Sequence, residues 1–322
     1  MFFDLPLEVL KTYQPEIPEP SDFDAFWEKT IKENQQFPLG AVFKEVDYGL
    51  SLLKVYDVVF RGYGGHEIKA WFMVPRAANQ PIPCVVEFIG YGGGRGFPVD
   101  WLLYPNAGFA TLVMDTRGQG SSWLKGDTPD RVSEGVDPHF PGFMTIGIRD
   151  KEEYYYRRVY VDAVRAICAA RSSPMVDPGL VALTGRSQGG GIAIAASALS
   201  SDIAMVLPDV PFLCNFERAV ATTDENPYFE ISRYLRAHRS EQDQVFQTLS
   251  YFDCVHFAKR SRAQALFSVG LMDNICPPST VFSAYNHYQG KKEIKVYPFN
   301  LHDGGGSHQD ILKIELLRTI WN

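Results

Sequence analysis

The sequence predicts an α/β fold: a mostly parallel central sheet with helices on both faces. Three observations carry this. From residue 84 onward, short apolar runs ending in Gly or Asp alternate with segments of helical composition, the pattern of strands and crossover helices in a parallel sheet. Ahead of them lie three strand-like runs, the last two joined by a glycine-rich turn as in a hairpin. Between residues 181 and 199 an apolar run, a turn of small residues around one serine, and an Ala-rich helix follow without a break. With 322 residues, 45% hydrophobic and 21% charged, the chain is read as a single domain, residues 1–322, with a large core.

The elements follow in order. Residues 6 to 20 are Pro-rich and read as an arm laid over the surface, and Ser21 as the N-cap of a covering helix with Phe23, Trp27 and Ile31 on one face, so that arm and helix occupy about residues 1–35. Val42 to Val46, Val55 to Phe60 and Ile68 to Val74 read as an antiparallel edge, with the turn Gly62-Tyr63-Gly64-Gly65 before the third run. Cys84-Val85-Val86-Glu87-Phe88-Ile89, bounded by Pro and Gly, reads as a central parallel strand, and Ala110 to Met114 as a second. Residues 121 to 148 hold many Gly, Pro and Asp without periodicity. An excursion that long in a compact domain implies a use, as a lid or a subunit contact. Tyr154 to Ala170 reads as a helix and Ala204 to Leu207 as a strand; residues 212 to 260 are helix-rich and read as an inserted helical cap. The sheet resumes at Ala265 to Val269, followed by a helix from Ser279 to Tyr288, a strand from Ile294 to Tyr297, and a closing helix from His308 to Trp321.

Composition narrows the function classes. A net charge of −7 with no run of Lys or Arg argues against nucleic acid. No stretch has the roughly 18 apolar residues that a membrane span needs, and Met1 to Pro6 lack a basic segment followed by a long apolar one, so a cytoplasmic location without a membrane partner is expected. Cys84, Cys168, Cys214, Cys254 and Cys276 are odd in number and far apart, and read as reduced core thiols.

Leu183-Thr184-Gly185-Arg186-Ser187-Gln188-Gly189 has the layout of a nucleophile elbow, in which Gly185 and Gly189 clear space for a sharp turn that projects Ser187 above the sheet edge. The G-x-S-x-G spacing alone arises by chance in roughly one chain in ten of this length, so the strand-turn-helix context carries the assignment. The competing readings are a glycine-rich helix start packed on the sheet and a phosphate-binding turn. A serine nucleophile needs a base, and in an open sheet functional groups gather beyond the C-terminal ends of the strands. Asp273 and His302 both stand there, and Ser187, Asp273, His302 follow the chain order of such a triad, with room between them for the helical insertion and then one helix and one strand. Asp209 is the rival acid. Among the histidines, His287 falls in a helix, His256 in the helical insertion and His139 in the excursion. Gly92 to Gly94 do not make a dinucleotide fingerprint, because Phe97 stands where the third glycine belongs. Arg117 and Gln119, with Gly118 between them, sit in a loop away from the elbow and are assigned structural roles, Arg117 by fixing a carboxylate with its guanidinium fork.

Taken together, Arg117-Gly118-Gln119, Gly185-x-Ser187-Gln188-Gly189 and the late His302 resemble the acetyl xylan esterase and cephalosporin C deacetylase family, carbohydrate esterase family 7. Gly90-Tyr91 to Gly96-Phe97, Val210 to Leu213, the segment from Val269 through Thr280 and the N-terminal arm extend the likeness over nearly the whole chain. Two departures stand out: Asp303 where the family usually has Glu, and the charged Arg186 inside the elbow. The resemblance implies a cytoplasmic α/β-hydrolase, assembled as a hexamer, that deacetylates small acetylated sugars and cephalosporins without cofactor or metal. It implies Ser187 as nucleophile, His302 as general base and then acid, and Asp273 as the group holding the imidazole. The backbone N–H groups of Tyr91 and Gln188 would form the oxyanion hole, with Tyr91 and Pro211 as walls of the substrate site. A peptidase or longer-chain esterase of the same fold, and a non-catalytic relative, remain as alternatives.

Overall fold

A computed structural model describes residues 2–131 and 137–321. The arm carries one turn of helix, α1 (Leu7–Leu10), and leads into α2 (Phe23–Gln35). Phe23, Phe26, Trp27, Thr30 and Asn34 of α2 are buried at helical spacing, whereas Ile31 is only half-buried. The N-cap is Asp22 rather than Ser21, and the Asp22 carboxylate accepts from Lys151 Nζ at 2.7 Å instead of capping its own helix. What fixes the helix is its apolar stripe. The Trp27 indole N–H donates to Tyr251 O at 2.9 Å while its rings pack on Tyr160, Phe252 and Phe257.

One nine-stranded sheet organises the rest. β1 (Val42–Val46), β2 (Leu53–Arg61) and β3 (Glu67–Pro75) form the antiparallel edge. Then come β4 (Ile82–Phe88), α3 (Leu103–Asn106), β5 (Ala110–Met114), α4 (Tyr155–Ser172), β6 (Val176–Arg186), α5 (Gln188–Ala198) and β7 (Met205–Asp209). The predicted helical insertion is α6 (Phe216–Thr222), α7 (Tyr228–Ala237), α8 (Gln242–Ser250) and α9 (Cys254–Ala258). β8 (Gln264–Gly270), α10 (Pro278–His287), β9 (Lys292–Tyr297) and α11 (Gly306–Trp321) close the chain. The strand order is β1-β2-β3-β5-β4-β6-β7-β8-β9; β3 meets β5 antiparallel, and from β5 to β9 every pair is parallel. This is the α/β-hydrolase architecture.

Both faces of the parallel part are covered, which is why its strands read as near-continuous apolar runs. Val86, Phe88, Leu183, Val206 and Phe267 face the larger core, shared with residues of α2, α4, α5, α9 and α10. Val85, Ala182, Leu207 and Leu266 face a smaller cluster with Tyr104 of α3 and Leu317 of α11. The chain steps from β4 sideways to β5 and then back across to β6, so β4 and β6 flank the point where strand order reverses, the place where open α/β sheets bind ligands. Tyr91 follows the first of those strands and Ser187 the second.

The excursion is not a free loop. Among its described residues there is no helix or strand, yet Met144, Thr145 and Ile148 are buried, and Asp130 accepts both prongs of the Arg158 fork at 3.0 and 2.7 Å. Residues 132–136 of the segment lie outside the described residues. No helix among the described residues is long and apolar enough to cross a membrane. The cysteines are unpaired, four of them buried and Cys168 exposed.

Candidate active site

Ser187 joins β6 to α5 with φ 58° and ψ −119°, a conformation a non-glycine residue adopts at a cost of about 1–3 kcal/mol. Its neighbours hold it there. Ser187 N–H donates to Asp209 O at 2.9 Å, and Ser187 O accepts from Phe212 N at 3.0 Å and from Gly191 N at 3.1 Å. The two glycines are required by close approach: a Cβ on Gly185 would lie 2.4 Å from the Gly189 carbonyl carbon, and one on Gly189 would lie 2.0 Å from Phe88 O. Strand β4, elbow turn and helix α5 are thus in backbone contact. Ser187 is 7% exposed.

Asp273 follows β8 and is fully buried. One carboxylate oxygen accepts from the N–H groups of Ile275 at 2.9 Å and Cys276 at 3.0 Å; the other faces His302 Nδ1 at 2.8 Å. With a carboxylate as partner, Nδ1 carries the proton and Nε2 is left as the acceptor. The ring is 24% exposed and lines the same cavity as Ser187. Among the described residues no hydrogen bond joins Ser187 Oγ to the ring, a looseness common before substrate aligns the pair. Asp303 binds within its own turn, accepting from Asn300 Nδ2 at 2.6 Å and Leu301 N at 3.1 Å.

The rivals are engaged elsewhere. Asp209 accepts from Lys313 Nζ at 2.6 Å and from Ser268 Oγ at 3.0 Å. His256 is buried against Pro18 O and Glu19 of the arm, His287 Nδ1 lies 2.8 Å from Ser283 O, and His139 is exposed.

At the opposite side of the serine, Gln188 N–H is the first free donor of α5, and Tyr91 N–H donates to no atom of the described residues. Both residues are clamped. Gln119, in the loop after β5 and given a structural role by the sequence, bridges to the elbow: its Oε1 accepts from Gly92 N at 2.7 Å and its Nε2 donates to Gln188 Oε1 at 2.8 Å, while Gln188 Nε2 donates to Ile89 O at 3.0 Å. Tyr155 and Tyr156 hydroxyls complete this buried network. Arg117 lies behind it, with a bidentate fork on Asp162 at 2.5 and 2.7 Å, and the turn at Gly118 has φ 72°.

Tyr91 is held from three directions. The excursion supplies the Trp123 indole N–H to Tyr91 O at 2.9 Å and the Phe143 N–H to its hydroxyl; the hydroxyl itself donates to the Glu230 carboxyl of α7 at 2.8 Å. Burial pushes Glu230 up to about 7 and drives the Tyr91 hydroxyl well above its usual range. Nothing in the sequence pairs Tyr91 with Glu230; the contact spans the excursion and the helical insertion.

The cavity has a volume of about 570 Å³. Ile275 and Pro227 line it on the apolar side. Pro211 does not: it is buried beneath Gly190, with its Cα 3.2 Å from where a Gly190 Cβ would stand, because the chain after β7 turns under α5. Phe212 from that segment does reach Tyr91, edge-on at 6.3 Å between ring centres. A larger groove of about 970 Å³ runs between the arm and the helical insertion, away from Ser187. Among the described residues no three His, Cys, Asp or Glu side chains converge as a metal would need.

Residues 1–319 match the acetyl xylan esterase (AXE1) family model. An acetyl xylan esterase from Paenibacillus sp. R4 superposes with a TM-score of 0.92 at 39% identity, over 98% of this chain and 99% of that one. Acetyl xylan esterase 1 from Thermoanaerobacterium sp. JW/SL YS485 gives a TM-score of 0.90 at 34% identity, over the same shares. The acetyl esterase Axe7A of Xylanibacter ruminicola is 28% identical over 300 residues; the match takes in 92% of this chain and spans only 65% of that longer relative.

Proposed function

The chain belongs to the acetyl xylan esterase family, and from that premise we propose that it is a serine carboxylesterase that removes acetyl groups from small substrates through an acyl-enzyme intermediate. Acetylated xylo-oligosaccharides are the first substrates of this reading and cephalosporin C the second. The observation that carries it is the Asp273–His302 contact of 2.8 Å, with the ring opening onto the cavity that Ser187 lines.

Ser187 Oγ attacks the acetyl carbonyl as His302 Nε2 takes its proton. Asp273 keeps Nδ1–H in place and stabilises the imidazolium. Negative charge on the carbonyl oxygen meets the N–H groups of Tyr91 and Gln188; losing one such donor typically costs about 2.7 to 4 kcal/mol. Collapse breaks the bond to the alcohol, which leaves with the proton from His302. Water then attacks the acetyl-serine with His302 again as base, releasing acetate and Ser187. The buried Gln119–Gln188 pair gives this scheme donors fixed before substrate arrives.

Acetate release from acetylated xylo-oligosaccharides, intact xylan and cephalosporin C tests the reading, alongside fluorophosphonate labelling. Labelling lost in Ser187→Ala with acetate release from the small substrates supports it. Absence of labelling on the native chain would mean a non-catalytic relative. We further place the chain in the cytoplasm, consistent with its unpaired cysteines, as a closed homo-oligomer, a hexamer by likeness to the family, with residues 121 to 148 at an interface. A monomer mass by light scattering would overturn the assembly.

A further inference from the structure

The cavity shared by Ser187 and His302 continues along the sheet face covered by α3 and α11, where its floor is polar. Glu87 of β4, Thr184 and Arg186 of β6 and Asp209 of β7 line it from the strand ends, Asp310 and Lys313 from α11. Register places Glu87 beside Thr184 and Arg186 beside Asp209. Directly below lie Val85, Ala182, Leu207 and Leu317, so these polar groups cap an apolar layer.

Most of them are already partnered. Asp209 takes Lys313 Nζ and Ser268 Oγ; Lys313 also meets Asp310 at 3.0 Å; Thr184 Oγ1 donates to Leu207 O at 3.0 Å. Glu87 differs: among the described residues its half-buried carboxyl has no hydrogen-bond partner, although it interrupts an apolar central strand. Its carboxyl is therefore turned to the cavity and open to whatever fills it. Lys313, Asp310, Asp209 and Arg186 are the charges that face it, and burial outweighs them to push its carboxyl up to about 7. A carboxyl partly protonated near neutrality both donates and accepts, which suits a hydroxyl better than a cation or an anion. Ser187 lies three positions beyond Thr184, at most about 10 Å of extended chain, so a sugar acetylated at one hydroxyl and seated at the serine brings its remaining hydroxyls over this floor.

We propose that Glu87, assisted by Asp310 and Lys313, is the subsite that holds the hydroxyl-bearing ring of the substrate and selects polyhydroxylated acetyl esters over simple ones. The inference rests on the reading of the chain as a deacetylase of sugar esters. It requires no change in the reaction steps, only binding.

The test is a ratio: kcat/KM for an acetylated xylo-oligosaccharide divided by kcat/KM for p-nitrophenyl acetate, which has no hydroxyls to bind. In Glu87→Leu this ratio should fall roughly five- to tenfold, the worth of one to two neutral hydrogen bonds, chiefly through KM for the sugar ester. Glu87→Gln, which still donates and accepts, should recover most of it. Asp310→Asn provides a second reading at a side chain a quarter exposed, with a smaller fall expected. A ratio unchanged in Glu87→Leu, or in Asp310→Asn should the leucine variant not fold, overturns the subsite while leaving the esterase reading intact. A wild-type chain that hydrolyses p-nitrophenyl acetate but releases no acetate from the sugar ester overturns the subsite and the sugar-ester substrate together, and leaves only an esterase of simple acetyl esters.

Discussion

Asp209 ends β7 and Asp273 stands just past β8, on neighbouring strands, 1% and 0% exposed, each with a partner from the last quarter of the chain. Their partners separate them. Lys313 is 5% exposed and shared with Asp310; burial alone would lower its ammonium, but Asp209, Tyr104 and Asp310 outweigh that and hold it well above its usual range. His302 has one carboxylate and a quarter of its surface open to the cavity. A buried ion pair whose cation cannot release a proton is architecture. The same carboxylate opposite an imidazole with a free nitrogen and an opening can take part in proton transfer. Position at a strand end is common to both; only the partner and its exit differ.

The largest effect should separate the two aspartates by activity. Asp273→Asn leaves the imidazole in the wrong tautomer and should lower kcat for p-nitrophenyl acetate about 10⁴-fold, whereas Asp209→Asn should lower it far less. Steady-state kinetics at neutral pH decide this, and an Asp209 variant the more crippled of the two would break the comparison. The second effect runs in the opposite sense. Lys313→Met strands Asp209 as a buried charge and should cost about 3 to 5 kcal/mol in urea unfolding. Asp209→Asn should cost less, because Lys313 keeps Asp310, and His302→Ala should also cost less than Lys313→Met, because Asp273 keeps the Ile275 and Cys276 N–H groups and the space left by the partly solvated ring opens to the cavity. A His302 variant as destabilised as Lys313→Met would erase the distinction.

The sequence placed both aspartates at strand ends and showed the partner of neither. The strands, the elbow and the late histidine are local patterns: apolar runs bounded by Gly and Pro, and small residues on both sides of Ser187. Asp209 stands as a rival acid in the sequence because its ion-pair partner, Lys313, lies more than a hundred residues away, on a helix whose rotation about its axis no local pattern fixes. The same holds for Gln119. Its loop reads as separate from the elbow, yet β5 lies beside β4, and β4 beside β6, so the loop after β5 comes within a side chain's length of Gln188. Pro211 fails for a related reason, since the strand end was visible but the turn beneath α5 was not. Glu87 did leave a signal, a single carboxylate inside an apolar central strand, and such breaks of a local rule often mark functional positions.

A third buried carboxyl sharpens the comparison, because its partner carries no charge at all. Glu230 is 4% exposed and takes the Tyr91 hydroxyl and the Met144 N–H, with Gly142 packed so closely that a Cβ there would lie 2.2 Å from the carboxylate. Among the described residues no cation offsets its burial, which raises it from 4.5 to about 7. A folded-state value above the unfolded one means the stabilising contribution is fully present below about pH 4.5 and is lost as pH rises through 7. Glu230→Gln keeps the shape and cannot ionise. Relative to wild type it should therefore gain stability on going from pH 5 to pH 8, by an amount of about 1 to 2 kcal/mol, below the roughly 3 kcal/mol that the full shift would give. Chemical denaturation of both proteins at the two pH values isolates this from Glu19 and Glu241, whose carboxyls are held near 2 and titrate identically in each. A wild-type-minus-variant difference that does not change with pH would mean that Glu230 stays ionised in the fold, and that a neutral tyrosine partner serves a buried carboxylate as well as a cation does.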